Sequence, residues 1–465
     1  MVFKQKKMAL TFEDILENSK SNKFTIQIVI ALSLQWFVPG AHQVLISNVA
    51  PYIQCQFGLT NFEAALTGAA YFLGLNIGAL YFGYMSDKRG RKASLVFAVL
   101  LMLYFAFLNA SSQSATFFSL TRLFVGIGVT ATYLISTTLT AEFVKVKHRS
   151  KDSLALALCF IFGMMYAYLI SYLVLNRYGW RVLTLILCTP GLFIALLLKI
   201  VPESFRYLQT TNNERKLMEI LHRFARTNDV QIPSKLDLQC RESKNKASYR
   251  YVLKTYPITT CSFFIIWIGA MTCFYGSSFL LTYRLQNPVC KPVHHKQYLS
   301  ATITTNSTNN CTDILPDSAH LQSFLISLSM VPGSLIMYRL GLYGRKLFMQ
   351  VGFALNLICY ILQLFCIPDW LSIASLLIVN SIATIFGTYG YLLTVEAYPT
   401  VVRSSATGMI SSVGKISQVF IPFLFQFLIY ESYLGVMWFL IGLTALSMIC
   451  VLPLEETYKK KLEQE

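Results

Sequence analysis

The sequence predicts an all-α membrane protein: about twelve transmembrane helices in two pseudo-symmetric six-helix bundles. Three observations predict it. Apolar residues make up 55% of the 465-residue chain and charged residues 13%, with a mean hydropathy of +0.52; a soluble domain carries about 25% charged residues. The apolar residues gather into runs that reach the roughly 20 residues a helix needs to cross a bilayer. The chain also repeats itself. Gly90, Arg91 and Lys92 recur as Gly344, Arg345 and Lys346, and Glu142 and Arg149 recur as Glu396 and Arg403. Both recurrences share one offset, which a duplicated six-helix half explains.

Residues 1–23 form a polar tail carrying Lys4, Lys6, Lys7, Lys20 and Lys23. No cleavable signal peptide is expected, because the first apolar run is too long for an h-region; that run should direct insertion itself. The first bundle, 24–202, takes spans near 24–50, 62–83, 93–110, 116–141, 152–175 and 181–201. A cytoplasmic linker over 203–255 follows. It is rich in Asn, Ser, Lys and Arg, with a short amphipathic stretch at "ERKLMEILHRFA". The second bundle, 256–454, takes spans near 256–283, 319–338, 347–367, 371–395, 404–429 and 433–453, and 455–465 form a second tail.

Charge placement sets the orientation. The second loop holds Lys88, Arg89, Arg91 and Lys92, and the fourth holds Lys145, Lys147, Arg149 and Lys151. Later even loops hold Arg339, Arg345, Lys346 and Arg403, while the odd loops are nearly bare of cations. Lys and Arg mark the cytoplasmic side, so both termini and all even loops are expected there. The net charge of +17 then reports topology and some attraction to anionic lipid, not nucleic-acid binding. One long loop, 285–318, is expected outside. Cys290 and Cys311 flank it in an oxidising compartment, so a disulfide between them is expected. Asn306 in "NST" and Asn310 in "NCT" are glycosylation acceptors. His294 and His295 read as a solvated pair rather than a metal site. No Walker loop, HExxH motif or nucleophile elbow is present. No enzymatic chemistry, cofactor or metal is therefore expected.

At this point the residues carry a family resemblance. The stretch "GYMSDKRGRK" at 83–92 resembles the signature loop between helices two and three of the major facilitator superfamily. "RLFVGIGVT", with Arg122, Gly126 and Gly128, resembles that superfamily's helix-four motif. "GWR" at 179–181, "PESFRYL" at 202–208 and "EAYPTVVRSSATG" at 396–408 resemble the organic cation/anion/carnitine transporters and the synaptic-vesicle-2-related proteins. The former carry a large outside loop between helices one and two. Here that loop, 51–61, is short, and the long loop lies between helices seven and eight, as in the synaptic-vesicle-2-related branch. The resemblance spans nearly the whole chain. It implies gradient-driven movement of a small organic ion by alternating access, with two halves rocking about a central site. The branch leaves open a transport-silent protein that acts by binding or trafficking partners.

The resemblance also implies an inner gate at the 83–92 loop. Gly83 and Gly90 let backbones approach. Asp87, at a helix end, meets the positive N-terminus of a neighbouring helix. Arg89 and Arg91 pair with carboxylates or phosphates, with Glu142, Arg149, Arg345, Glu396 and Arg403 as the remaining members. Gly341 stands where the first half has Asp87, so the second gate should be weaker. The alternative is a basic loop that only sets topology.

A charge within a span is costly and marks a candidate functional residue. For Arg122 the resemblance implies coupling and helix packing; the alternative is snorkelling to the interface. Lys415, in "GMISSVGKISQVFIPF", is a lone ammonium that attracts an anion if it faces a central site. Organic cation transporters tend to have an acid at the matching place, and organic anion transporters a base. The alternative is a Lys paired with a buried carboxylate or reaching water. Pro39 and His42 stand where the related first helix carries two acids. His42 is either a proton switch or a hydrogen-bonded packing residue. Gln43 is placed to orient a substrate, and Tyr71, Tyr133, Tyr166 and Tyr275 to line an aromatic site. Together these residues favour an anionic or zwitterionic substrate, with a coupled proton or exchanged ion left open.

Overall fold

A computed structural model describes residues 23–145, 148–211, 213–229, 249–286, 317–341, 344–365, 367–398, 403–424, 429 and 432–456. Helix is the only repeating structure among them, as a bilayer requires of a chain that does not close into a barrel. Nine helical stretches among the described residues are long and apolar enough to cross a membrane.

The first crossing is a broken rod, α1 (Lys23–Leu34) and α2 (Phe37–Phe57), interrupted at Gln35 and Trp36. The Gln35 amide donates to the Ile194 carbonyl at 2.9 Å, which fastens the break to a neighbouring helix. Next come α3 (Asn61–Arg89), α4 (Arg91–Ala110) and α5 (Ala115–Phe143). The run α6 (Arg149–Leu196) has 48 residues, roughly 70 Å of helix and too long for one crossing. It turns at Gly179, with φ 80° and ψ 170°, and so supplies crossings five and six. Three short helices follow: α7 (Phe205–Thr210), α8 (Glu214–Asn228) and α9 (Tyr249–Thr255). The second half contains α10 (Pro257–Gln286), α11 (Asp317–Gly341), α12 (Arg345–Leu362), α13 (Asp369–Ala397), α14 (Arg403–Phe423) and α15 (Tyr433–Cys450).

Several helices overrun the apolar runs that predict them, because their ends are stabilised by polar groups. α3 starts at a capping box between Thr60 and Glu63 and ends on Lys88 and Arg89, cations that suit a helix C-terminus. The reverse holds at 347–367, where α12 already stops at Leu362. The amphipathic stretch forms α8, whose Leu217, Leu221 and Phe224 are buried against the first half. Its Asn228 side chain accepts from the Phe24 backbone N–H at 3.1 Å.

The duplication is visible in matching contacts. The Asn109 amide donates to Thr121 Oγ1 at 2.7 Å and to the Phe118 carbonyl at 3.3 Å. At the matching places the Gln363 amide donates to Ser375 Oγ at 2.7 Å and to the Ser372 carbonyl at 3.1 Å. Within the first half, α3 and α5 pack backbone to backbone. A Cβ on Gly74 would strike the Leu123 carbonyl, and one on Gly126 the Tyr71 carbonyl. That contact accounts for Gly126 in the helix-four motif.

Away from the basic loops, one apolar cluster joins both halves, with Ile53, Phe118 and Trp180 beside Leu281, Tyr360 and Met437. At the basic face the core divides. One cluster holds Phe82, Phe143 and Leu221; another holds Trp267, Phe353 and Ile410. Few residues breach that division, among them Leu134 and Val419. Tyr275 packs against all three clusters.

Cys290, Cys311, Asn306 and Asn310 lie outside the described residues. Cys55, at the end of α2, is disulfide-bonded. The described cysteines besides it are free, so its partner also lies outside the described residues.

Candidate substrate site and gate

The residues expected to form a gate in the first half centre on the junction of α3 and α4. Gly90 makes the turn with φ 98°, a value that favours glycine. The first N–H groups of α4 have no partner within the helix. Glu203 supplies one: its Oε1 accepts from the Arg91 N–H at 2.8 Å and the Lys92 N–H at 3.0 Å. A Cβ on Gly90 would fall against that carboxylate. The Arg91 side chain pairs with Glu142. The second half repeats the arrangement. Glu456 accepts from the Arg345 N–H at 2.8 Å and the Lys346 N–H at 3.0 Å. Arg345 pairs with Glu396, donating from Nη2 at 2.8 Å.

Each half buries one cation among the residues expected to line a central site. Lys415 on α14 is 5% exposed. Its Nζ lies 5.9 Å from the Tyr391 ring centroid and has no hydrogen-bond partner among the described residues. Trp267 meets the Tyr391 ring edge-on at 4.6 Å and donates to Thr394 at 3.1 Å. The Tyr391 hydroxyl and Gln418 Oε1 are buried without partners. In the other half Arg122 is 0% exposed. Its Nη2 donates to the His42 carbonyl at 3.0 Å, and Nη1 lies 3.4 Å from His42 Nδ1. Guanidinium has donors only, so that contact requires Nδ1 to be the lone-pair nitrogen. His42 Nε2 then carries the proton, facing Cys188 Sγ at 3.7 Å. The guanidinium lies 4.4 Å over the Tyr71 ring, and the Tyr71 hydroxyl donates to Gln43 at 3.4 Å.

Aromatic rings connect the two cations. Tyr71 touches Phe72, and Phe72 meets Tyr275 edge-on at 5.2 Å. Tyr133 joins through Phe160 and Phe274 to Tyr275, and Tyr275 packs against the cluster that holds Tyr391. The Tyr133 hydroxyl is buried without a partner. The result is a tyrosine belt between the halves, with a buried cation at each side and polar groups still to be satisfied.

Two family profiles match the chain: "Sugar (and other) transporter" over residues 16–312 and "Major Facilitator Superfamily" over 292–465. The chain belongs to the sugar (and other) transporters of the major facilitator superfamily. The synaptic vesicle 2-related protein of Pongo abelii is 27% identical over 450 residues, covering 95% of this chain and 80% of the relative. That likeness agrees with the branch read from the loop positions. Among solved structures, the proton:xylose symporter XylE bound to 6-bromo-6-deoxy-D-glucose matches with a TM-score of 0.69 at 19% identity, covering 95% of this chain and 98% of that one. The inward-open conformation of the E. coli xylose transporter XylE matches at 0.65 and 20% identity, covering 94% and 98%. These likenesses bear on fold. This major facilitator chain is an integral, multi-pass membrane protein of a transporter family.

The expected gate residues divide into three groups. Arg91 meets Glu142 and Arg345 meets Glu396. Arg89 is exposed. Asp87, Arg149 and Arg403 lie in helices, but their side chains fall outside the described residues. Gly83 is a correction. A Cβ there would meet Leu134 at 3.8 Å, an ordinary contact, so close approach does not call for glycine at this position. Arg122 is buried rather than snorkelling. Tyr166 spends its hydroxyl on the Ile186 carbonyl at 3.0 Å and meets the Phe37 ring at a tilt, so it serves packing within the first half. Glu203 and Glu456 escaped the sequence reading. Their signal is the acid after Pro202 and the acids after Pro453, at matching places in the two halves.

Replacing Glu203 with Ala strips α4 of its acceptor. Each buried donor left unsatisfied costs about 1–3 kcal/mol. We expect a lower melting midpoint in detergent, with the helical signal retained below it. An unchanged midpoint would mean that water replaces the carboxylate.

Proposed function

We propose that this chain is a secondary transporter that moves a small organic anion, or a zwitterion through its anionic group, by alternating access. The observation that carries the reading is Lys415, a buried ammonium with no hydrogen bond among the described residues and no ion pair there. Such a group in a membrane core calls for a counter-charge. The belt of Tyr71, Tyr133, Tyr275 and Tyr391 adds phenol donors and an apolar surface for an organic body. Two further features support alternating access. Each half is stapled internally at the basic face, by Arg91–Glu142 and by Arg345–Glu396. The apolar core is shared between halves at one face and divided at the other, as in a carrier open toward its basic side. On this reading the basic face and both termini are cytoplasmic, and Cys290, Cys311, Asn306 and Asn310 lie across the membrane from them.

The test is uptake of labelled organic anions, zwitterions and cations into proteoliposomes. Saturable anion or zwitterion uptake is the expected result. Cation uptake alone would overturn the substrate class. No uptake of any probe by folded protein would favour a scaffold acting through partners.

A further inference from the structure

We propose that a disulfide from Cys55 ties the first half of the chain to the second across the face away from the basic loops, with Cys290, Cys311 or Cys366 as its partner. The inference does not depend on the anion reading. Cys55 is disulfide-bonded. The chain has 11 cysteines, and Cys159, Cys188, Cys261, Cys273, Cys359 and Cys450 are free. Cys240, Cys290, Cys311 and Cys366 are left as partners.

Chain length removes Cys240. Phe24 and Cys55 lie near opposite ends of the first crossing, about 45 Å apart at the rise of a helix. Asn228 accepts from the Phe24 N–H, so α8 ends at the basic face. α9 lies at that face too, because its Val252 packs in one cluster with Tyr398 and Ala406, at the end of α13 and the start of α14. From Cys240 to Tyr249 a fully extended chain spans at most about 32 Å. A disulfide adds less than about 7 Å between Cα atoms. Cys240 therefore falls short of Cys55. Its route would also carry Arg241, Glu242 and Lys244 through the bilayer core.

The other three cysteines stand on Cys55's own face, and all belong to the second half. α10 starts beside Tyr398, whose hydroxyl lies 2.8 Å from that of Thr260, and it ends at Gln286, shortly before Cys290. α11 runs down to the basic loop at Arg345, so Cys311 precedes its far end. α12 starts at Arg345, and Cys366 follows its far end. Ile53, close to Cys55, shares an apolar cluster with Leu280, Leu281 and Tyr360 of the second half.

The peptide chain joins the halves only through 203–255, at the basic face. The disulfide adds a second covalent connection at the opposite face and caps how far the halves can part there. Its formation takes one hydrogen from each thiol, and the two protons and two electrons pass to a donor disulfide by exchange. The face expected outside is where such donors persist. A bond from Cys55 to Cys290 or Cys311 replaces the expected Cys290–Cys311 pair; a bond to Cys366 leaves room for both.

A protease recognition sequence placed at Ser243, on the second-half side of Cys240, allows the folded full chain to be cut in its linker. Thiols are then blocked by alkylation and the products separated in SDS. The cut wild type should run as one species without reductant and as two with it. Cut Cys55→Ser should run as two in both. Two species from the unreduced wild type overturn the inference, whether Cys55 pairs with Cys240 or stays free. One species from unreduced Cys55→Ser overturns it as well, because another bond then joins the halves. Peptide mapping of the unreduced, uncut wild type decides the matter even if Cys55→Ser fails to fold. The peptide holding Cys55 should come linked to one holding Cys290, Cys311 or Cys366. A link to Cys240, or a free Cys55 thiol, overturns the inference.

Discussion

Glu396→Ala is expected to cost about 3–5 kcal/mol, because it leaves the Arg345 guanidinium buried without its carboxylate. The side chains of that pair are 5% and 7% exposed, and Arg345 Nη2 donates to Glu396 at 2.8 Å. Removing one partner exposes the full desolvation penalty of the other. The measurement is the melting midpoint in detergent, read with Arg345→Leu and with the double variant. Both single variants should melt early. The double variant should recover most of the loss, since neither charge then remains buried alone. Double-variant losses that equal the sum of the singles would mean that the two residues do not act as a pair. The matching pair in the first half, Arg91 with Glu142, is less buried on the arginine side at 15%. Glu142→Ala should follow the same pattern with a smaller loss.

The helices were legible because a bilayer forces each crossing to declare itself as an apolar run. Even the turn at Gly179 shows as the gap between two such runs. Glu142 and Glu396 were legible as gate members because the duplication presents them twice, but the sequence left their partners open among Arg149, Arg403 and the loop arginines, and packing chose Arg91 and Arg345. A single charged pair at that separation would be one of many. Glu203 and Glu456 were hidden for a different reason. They bind backbone N–H groups, which every residue offers, so no complementary side chain announces the partner. The central site depends on which of 26 tyrosines face each other. Helix crossing decides that, and the crossing follows from close contacts such as Gly74 against Gly126. Arg122 lies near enough to a helix end that its sequence position permits snorkelling. The packing of α2 and α3 around it, with His42 and Tyr71 on two sides, sends it inward instead. Cys55 looks like any helix cysteine in the sequence, yet it is disulfide-bonded.

Lys415→Met should raise thermal stability and abolish anion transport together. A structural lysine would give the opposite sign on stability, because its removal would break a pair or leave a buried carboxylate without its cation. No such carboxylate stands beside Lys415 among the described residues, and its Nζ is buried without a hydrogen bond. Replacing it with an apolar chain of similar length removes an uncompensated charge and fills the same space against Tyr391. The fold should therefore gain, and the site should lose its counter-charge. Two unit charges about 4 Å apart at an effective dielectric of about 20 attract by about 4 kcal/mol. Transport at subsaturating anion should then fall at least about a hundredfold. An anionic substrate should raise the melting midpoint of the wild type and leave that of Lys415→Met unmoved. Lys415→Glu carries the argument one step further. It puts an acid beside Tyr391 of the belt, so anion flux should stay lost while organic cations gain entry. A stability loss in Lys415→Met, with anion flux intact, would assign the ammonium to packing and move the anion site elsewhere. A stability gain with flux lost is the pattern of a residue kept for its chemistry at the expense of the fold.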